Sequence, residues 1–130
     1  MGFFGGSKKK KEKGAADLLL GEIENNLELC RVMIQRGFLT RAFFSRVWEE
    51  VSGECPWPLE VREYIEAVWK YNRLFEKVRS ADAAYMADVE GRTHDVAVAL
   101  HDLKEEWEAS FVGVEEKILA AREALLKKRE

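Results

Sequence analysis

The sequence predicts an all-α fold, an antiparallel helical bundle of four helices with a long C-terminal helical hairpin. Through most of the 130 residues, apolar side chains recur at intervals of three and four, which is the spacing of one face of an α-helix. The only two prolines, Pro56 and Pro58, lie close together and therefore interrupt the helical pattern at one place. No repeat of roughly 20 to 50 residues is visible, which argues against a solenoid.

Helix one is predicted from about Ala16 to Arg36. Asp17 can cap its start, and Gly37 stands where a left-handed residue commonly ends a helix. The charged residues lie off an apolar stripe that packs against the rest of the bundle. This stripe consists of Leu20, Ile23, Leu27, Cys30 and Ile34.

Helix two is predicted from Thr40 to Gly53. The Thr40 hydroxyl can accept hydrogen bonds from first-turn amides, and Leu39 and Phe44 are spaced as a hydrophobic staple. Helices one and two either lie end to end along the hairpin or fold back on each other. We favour the fold-back, because Gly37 and the Thr40 cap indicate a stop and a restart.

Helices three and four form the predicted hairpin. Helix three starts at Pro58, bends or breaks near Ser80 and ends at a turn around residues 91–95, from which helix four runs to about Lys128. Each would be about 50 Å long at about 1.5 Å per residue, and the short turn makes the two antiparallel. Centring the turn near residue 92 places Trp107 opposite Lys77 and Val78.

The charge of the chain is divided unevenly between two predicted parts. Residues 1–14 form a flexible basic N-terminal arm, and residues 15–130 form a single helical-bundle domain. The first 13 residues carry five lysines against one glutamate, whereas the remainder carries 16 basic against 23 acidic residues. The formal net charge of −3 is therefore the sum of a basic arm and an acidic body.

The composition favours a cytoplasmic protein in a reducing compartment. No apolar run approaches the roughly 20 residues that a membrane-spanning helix needs. The two cysteines, Cys30 and Cys55, follow no secretory apolar segment, so we expect them to remain thiols. Cys30 falls on the apolar stripe of helix one and is predicted to be a small core residue. Cys55 has no CxxC partner and no neighbouring histidine to activate it as a nucleophile.

The two histidines, His94 and His101, are not expected to form a metal site. Seven residues separate them, which brings both to one helix face but about 10.5 Å apart along the axis. A metal would need further ligands from a second helix, such as Asp82 or Asp88.

Paired carboxylates offer an alternative, a small metal-dependent helical enzyme. Glu60 and Glu63 have the spacing with which helical enzymes hold magnesium, and Asp82 and Asp102 could contribute further ligands. The hairpin register places Asp102 far from Glu60, and glutamates are common in first turns because they complement the helix dipole. The sequence therefore predicts no catalytic residue, no resident metal and no cofactor.

Aromatic residues are the candidates for partner binding. Trp57, held between two prolines, could present a rigid aromatic anchor, but it could equally close the end of the bundle, and we favour packing. Phe43, Phe44 and Trp48 lie in the dense aromatic segment of helix two. Any of these four side chains that stays exposed is a candidate contact.

The basic arm has three alternative roles. It could contact an anionic membrane surface, it could touch nucleic acid phosphates without specificity, or it could be a solvated tail. An acidic body argues against a broad nucleic-acid footprint, so nucleic acid is the less favoured partner. The candidate residues are Phe3, Phe4, Lys8, Lys9, Lys10, Lys11 and Lys13.

Taken together, these patterns predict a non-catalytic helical module for protein–protein interaction or adaptor function, including a chaperone-like role. The expected partner is another protein or a second copy of the chain, because a long hairpin would extend beyond helices one and two. Peripheral contact with a membrane is the additional role predicted for the arm.

Overall fold

The chain folds into five helical segments in a computed structural model that describes residues 2–87 and 94–129, with side chains from 10 to 87 and from 96 to 128. Within these residues there is no strand. The predicted helix four is divided into two helices, and both pack against α3. The predicted all-α bundle with a long C-terminal hairpin is therefore confirmed. The segments are α1 (Gly2–Arg36), α2 (Arg46–Val51), α3 (Leu59–Ala87), α4 (His94–Phe111) and α5 (Val114–Arg129).

The helices pack in an antiparallel order around one core. Helix α3 packs against α4 and α5, and α1 packs against α5 and α2. Apolar residues of α1, α2, α3 and α5 form a single buried cluster, as the helical stripes predicted. Cys30 is one of its members, which confirms its assignment to the core. The most deeply buried members include Leu19, Ile23, Cys30, Met33, Val61, Tyr64, Val68, Tyr71, Ile118 and Leu125.

The register of the hairpin is close to the predicted one. The Trp107 ring lies 5.7 Å from the Phe75 ring and 5.9 Å from the Tyr71 ring. The two contacting rings therefore precede the predicted Lys77 by two and six residues. Helix α3 runs through Ser80 without a break. Residues 88–93 lie outside the described residues, and with them the first part of the turn predicted at 91–95. The last two residues of that predicted turn are helical, because α4 begins at His94.

The predicted helix from Thr40 to Gly53 is wrong at its start. Residues 38–45, here called the strap, are not helical, and only Arg46–Val51 form α2. The Thr40 hydroxyl therefore caps no helix. Helix propensity is overridden because buried side chains of α1 and α3 take the backbone hydrogen bonds of the strap, as described below.

The chain does fold back after α1, as favoured from the sequence. Gly37 adopts a φ of +78°, a left-handed value that glycine reaches without steric cost and that ends the helix. Phe44 then lies beside Asn26, and Trp48 lies beside Glu22, so the chain returns antiparallel to α1.

The predicted continuous fourth helix is interrupted at Gly113. This residue has a φ of +82°, which breaks the α-helical backbone, and its carbonyl accepts the first hydrogen bond of α5 from Lys117. Glu115 and Glu116 lie in the first turn of α5, where they complement the helix dipole. The apolar stripe continues across the break, because Phe111 before it packs against the core and Val114 and Ile118 after it are buried.

Helix α1 begins at Gly2, fourteen residues earlier than predicted. The sequence did not predict this start because the glycines and the lysine block show no apolar periodicity. Lysine is nevertheless a good helix former, and the helix only has to propagate from its packed part. The Arg122–Glu24 and Arg31–Glu115 ion pairs, both 3.5 Å, set an antiparallel register with α5. That register carries residues 2–13 beyond Arg129. The mobility of the arm stays a prediction.

The described helices contain no segment that is both long and apolar enough to cross a membrane.

Candidate functional site

The most unusual feature of the core is its buried polar side chains. Among the described residues, Glu22 and Asn26 are the polar residues that are buried. A buried polar group costs free energy unless it is hydrogen-bonded, so its partners reveal what it is for. Both residues bind backbone groups of the chain that returns along α1.

Two asparagines hold the strap from opposite sides. Asn26 of α1 accepts a hydrogen bond from the Phe44 amide at 2.8 Å and donates one to the Phe44 carbonyl at 2.8 Å. Asn72 of α3 makes the same pair with Phe43, at 2.8 Å to the amide and 3.0 Å to the carbonyl. Each asparagine side chain thus pairs with both the amide and the carbonyl of one strap residue, as a residue of a neighbouring β-strand would.

Two tyrosines of α3 complete this arrangement. The Tyr71 hydroxyl donates to the Arg41 carbonyl at 2.8 Å, and the Tyr64 hydroxyl accepts from Asn26 at 2.6 Å. Burial raises the pKa of Tyr71 to about 12 and raises the pKa of Tyr64 as well, so both hydroxyls stay protonated. We call Asn26, Tyr71 and Asn72, which bind the strap backbone directly, the clamp.

Glu22 caps α2 from a different helix. Its two carboxylate oxygens accept hydrogen bonds from the Val47 amide at 2.8 Å and the Trp48 amide at 3.2 Å. Ser45 occupies the N-cap position but makes no side-chain cap. Glu22 therefore satisfies first-turn amides that a local Ser or Thr would normally satisfy, and its negative charge suits the helix N-terminus.

Of the four predicted aromatic contacts, three are buried. Phe43 packs in the core with its ring 4.8 Å from Tyr71 and 6.3 Å from Phe111. Trp48 and Trp57 are also buried, with their rings 5.7 Å apart. Phe44 is 42% exposed, and the Arg41 guanidinium lies 5.0 Å above its ring. Phe44 alone of the four presents a large surface to a partner in this conformation.

Trp57 closes the end of the bundle, which is the packing role favoured from the sequence. Its indole N–H donates to the Ser52 carbonyl at 3.0 Å. The Lys128 ammonium lies 5.5 Å above the ring and 3.6 Å from the sulfur of Cys55. Cys55 and Cys30 are both free thiols and both buried.

An apolar groove opens where α1 ends beside α4. It has a volume of about 480 Å³, within the usual range of about 300 to 1,000 Å³ for ligand sites. Ile34 and Phe38 stand on one side of it, 51% and 59% exposed, and both belong to the lining. The other apolar lining residues are Met33, Leu39, Trp107 and Phe111, with Lys104 and Glu108 as the charged ones.

Two of the carboxylates considered for a metal, Glu63 and Asp82, pair with lysines. Glu63 pairs with Lys117 at 3.1 Å, Asp82 pairs with Lys104 at 3.7 Å, and His101 lies 3.1 Å from Glu105. In the described part of the chain, no three His, Cys, Asp or Glu side chains come together in a way that could hold a metal ion. The His94 side chain and Asp88 lie outside the described residues.

The predicted anionic-surface residues are partly described. Lys10, Lys11 and Lys13 are exposed on the projecting part of α1. The side chains of Phe3, Phe4, Lys8 and Lys9 lie outside the described ones.

Glu22, Asn26 and Asn72 were missed from the sequence. A signal was present for the first two, because Leu19, Cys30 and Met33 place Glu22 and Asn26 on a continuous helix face at spacings of three and four. A polar residue inside an apolar stripe indicates a buried hydrogen-bonding role. Asn72 follows Tyr71 and gave no comparable signal.

Comparisons of the chain with known protein families, curated proteins and solved structures find no match.

Proposed function

We propose that this protein is a non-catalytic helical module for protein–protein interaction, of adaptor or chaperone-like type. The observation that carries the proposal is the apolar groove between the end of α1 and α4. Large apolar side chains at its rim remain in water in the isolated chain, although burying such a side chain fully stabilises by roughly 1.5 to 3 kcal/mol. Burial of Ile34 and Phe38 against a partner would therefore contribute favourably to the free energy of binding.

The groove suits a helix or short segment that inserts apolar side chains. Trp107 and Phe111 line it, and aromatic residues are the side chains that dominate binding energy at interfaces. Lys104 and Glu108 provide charged groups at the same surface, which suits a polar rim around an apolar centre. A second copy of the chain belongs to the same class of partner, and light scattering of the purified protein distinguishes self-association from binding to another protein.

Charged substitutions in the groove should abolish partner binding without unfolding the protein. We expect the double variant Ile34→Asp/Phe38→Asp to recover partners from its native cell at least 10-fold less well than the wild type, as quantified by mass spectrometry. Circular dichroism should be unchanged, because both positions are exposed. The matched control is Val112→Asp, an apolar residue that is 81% exposed and outside the groove. Equal losses in both variants, or none, would contradict the proposal.

The second proposed role, contact of the arm with an anionic membrane surface, is supported by the projection of α1 past α5. Lys10, Lys11 and Lys13 are exposed there, and each lysine near an anionic surface contributes about 1 kcal/mol. These charges stand apart from the acidic body, which would repel such a surface.

Vesicle flotation tests this role. We expect binding to phosphatidylserine-containing vesicles, no binding to neutral ones, and a roughly 100-fold loss when Lys10, Lys11 and Lys13 are replaced with alanine. Alanine at Lys70 and Lys77, two exposed lysines of the body, is the matched control. Binding that is stronger to duplex DNA than to anionic vesicles would instead favour nucleic acid as the partner of the arm.

A further inference from the structure

We infer that the clamp is a binding site for an extended polypeptide segment of a partner, and that the strap occupies this site in cis. The inference rests on the proposed interaction function and adds a second site with the chemistry of its ligand. It starts from the way in which Asn26, Tyr71 and Asn72 hold the strap.

The clamp recognises backbone alone. All five of its hydrogen bonds to the strap end on amide or carbonyl groups of Arg41, Phe43 and Phe44. Every residue except proline carries the same amide and carbonyl, so these contacts do not depend on the sequence of the segment. Strand addition binds peptides by the same principle, with main-chain hydrogen bonds for affinity and pockets for specificity.

One pocket beside the clamp selects a side chain. The Phe43 ring is buried against Tyr71 and Phe111, whereas the next side chain, Phe44, is largely exposed. Successive side chains of an extended segment point to opposite sides, which explains the difference. The ligand chemistry is therefore an extended segment with an aromatic residue at one position and a tolerant position after it.

The strap has a second conformation available to it. Its own sequence favours a helix from Thr40 to Gly53, with a Thr40 cap and a Leu39–Phe44 staple. Helix α2 already forms the downstream part of that helix, and propagation toward Thr40 adds one hydrogen bond per residue. Gly37, with its φ of +78°, supplies a hinge at the upstream end. A conflict between local preference and tertiary structure is expected at functional sites.

Each conformation has interactions that the other lacks, and the observed one is the more stable of the two. In the observed one, the strap gains the clamp hydrogen bonds and the burial of Phe43. In the helical one, it gains intrahelical hydrogen bonds and leaves the clamp and the aromatic pocket open. A partner segment that fills the open site shifts the equilibrium by its differential affinity for that conformation. Because the strap is tethered, it competes at a millimolar effective concentration, so the wild type binds such a segment weakly.

Weakening the strap should expose the site to a peptide. The probe is a fluorescent, end-blocked peptide with the sequence of residues 38–46, FLTRAFFSR, which contains the whole strap. Phe43→Ala removes the strap's anchor but leaves the clamp and pocket intact. We expect this variant to bind the peptide at least 10-fold more tightly than the wild type, as measured by fluorescence anisotropy. A peptide with alanine at its sixth residue, which corresponds to Phe43, should not show this increase in affinity.

A substitution in the clamp distinguishes specific peptide binding from non-specific binding. Adding Asn72→Asp to Phe43→Ala preserves the size of the side chain, but a carboxylate cannot donate to the peptide carbonyl, so affinity should fall at least 10-fold. If Phe43→Ala does not fold by circular dichroism, Phe43→Leu, which retains apolar volume, takes its place. Peptide affinity equal to that of the wild type, or insensitive to Asn72→Asp, would overturn the inference.

Self-exchange is the remaining outcome to measure. A dimer of the Phe43→Ala variant in light scattering, with no peptide binding, would show that the strap only swaps between copies. That result would overturn the inference that the clamp binds a segment of a partner. The groove substitution Ile34→Asp lies in α1, outside both the clamp and the strap, so on its own it tests the groove and makes failure of the peptide experiment distinguishable from failure of the proposed function.

Discussion

Replacing Asn26 with leucine should lower the free energy of unfolding by about 3 kcal/mol. Asn26 is fully buried and makes three hydrogen bonds, two to Phe44 and one to the Tyr64 hydroxyl. Leucine is similar in size but leaves the Phe44 amide, the Phe44 carbonyl and Tyr64 without that partner. Each buried unsatisfied group costs about 1 to 3 kcal/mol, and the added apolar burial of leucine offsets part of the sum. Urea unfolding followed by circular dichroism measures the change.

Asn25 provides the matched control for this substitution. It is the preceding residue of the same helix, but it is exposed. Asn25→Leu should change stability by less than about 0.5 kcal/mol, because surface substitutions rarely do more. A loss below about 1 kcal/mol for Asn26→Leu, or equal losses at both positions, would show that the strap does not depend on this side chain.

Raising the pH from 8 to 11 should also destabilise the fold strongly. Burial, followed by the nearby Glu115 charge, raises the pKa of the Cys30 thiol to about 11, and burial raises the pKa of Tyr71 to about 12. The unfolded chain loses these protons at lower pH than the folded chain, from a pKa of 9.0 for the thiol and 10.0 for the phenol. Stability is therefore complete below pH 9 and declines as the pH rises toward the folded values. Linkage gives a loss of about 2 kcal/mol from Cys30 and about 1 kcal/mol from Tyr71 at pH 11.

A variant isolates the contribution of the thiol. Cys30→Ala is less stable at pH 8 because it leaves a small cavity, but its stability should fall by about 2 kcal/mol less than that of the wild type between pH 8 and pH 11. Guanidinium unfolding at each pH gives both curves. Parallel curves for the two proteins would contradict the assignment of alkaline instability to Cys30.

The helices and their inward faces could be predicted because they depend on local spacing. Leu20, Ile23, Leu27 and Cys30 are buried as their intervals of three and four require. Val114 and Ile118, which follow the break at Gly113, are buried as well. The position of the break could not be read in the same way. A glycine inside a helical pattern is often tolerated, so only the observed φ of +82° distinguishes Gly113 as an end.

The candidate site was predictable only in part. Phe43, Phe44, Trp48 and Trp57 were found from their aromatic density, but composition cannot tell a packed ring from an exposed one. Ile34 shows the same limit. It continues the apolar stripe of α1 and was expected to be buried, but it is exposed at the groove where α1 ends beside α4. Exposure of these side chains depends on which neighbouring helix reaches them.

The sequence by itself determined an all-α chain with the correct reversal after α1, the two-proline interruption and the buried face of each long helix. These features follow from spacing, from capping residues and from backbone limits on glycine and proline, all of which act within a few residues. The tertiary structure decided the conformation of residues 38–45. Local signals favour a helix there, but Asn26 and Asn72, 18 and 29 residues away from the groups they bind, hold an extended backbone between α1 and α3. These tertiary hydrogen bonds outweigh a weak local preference, and only the packed helices bring their donors and acceptors together.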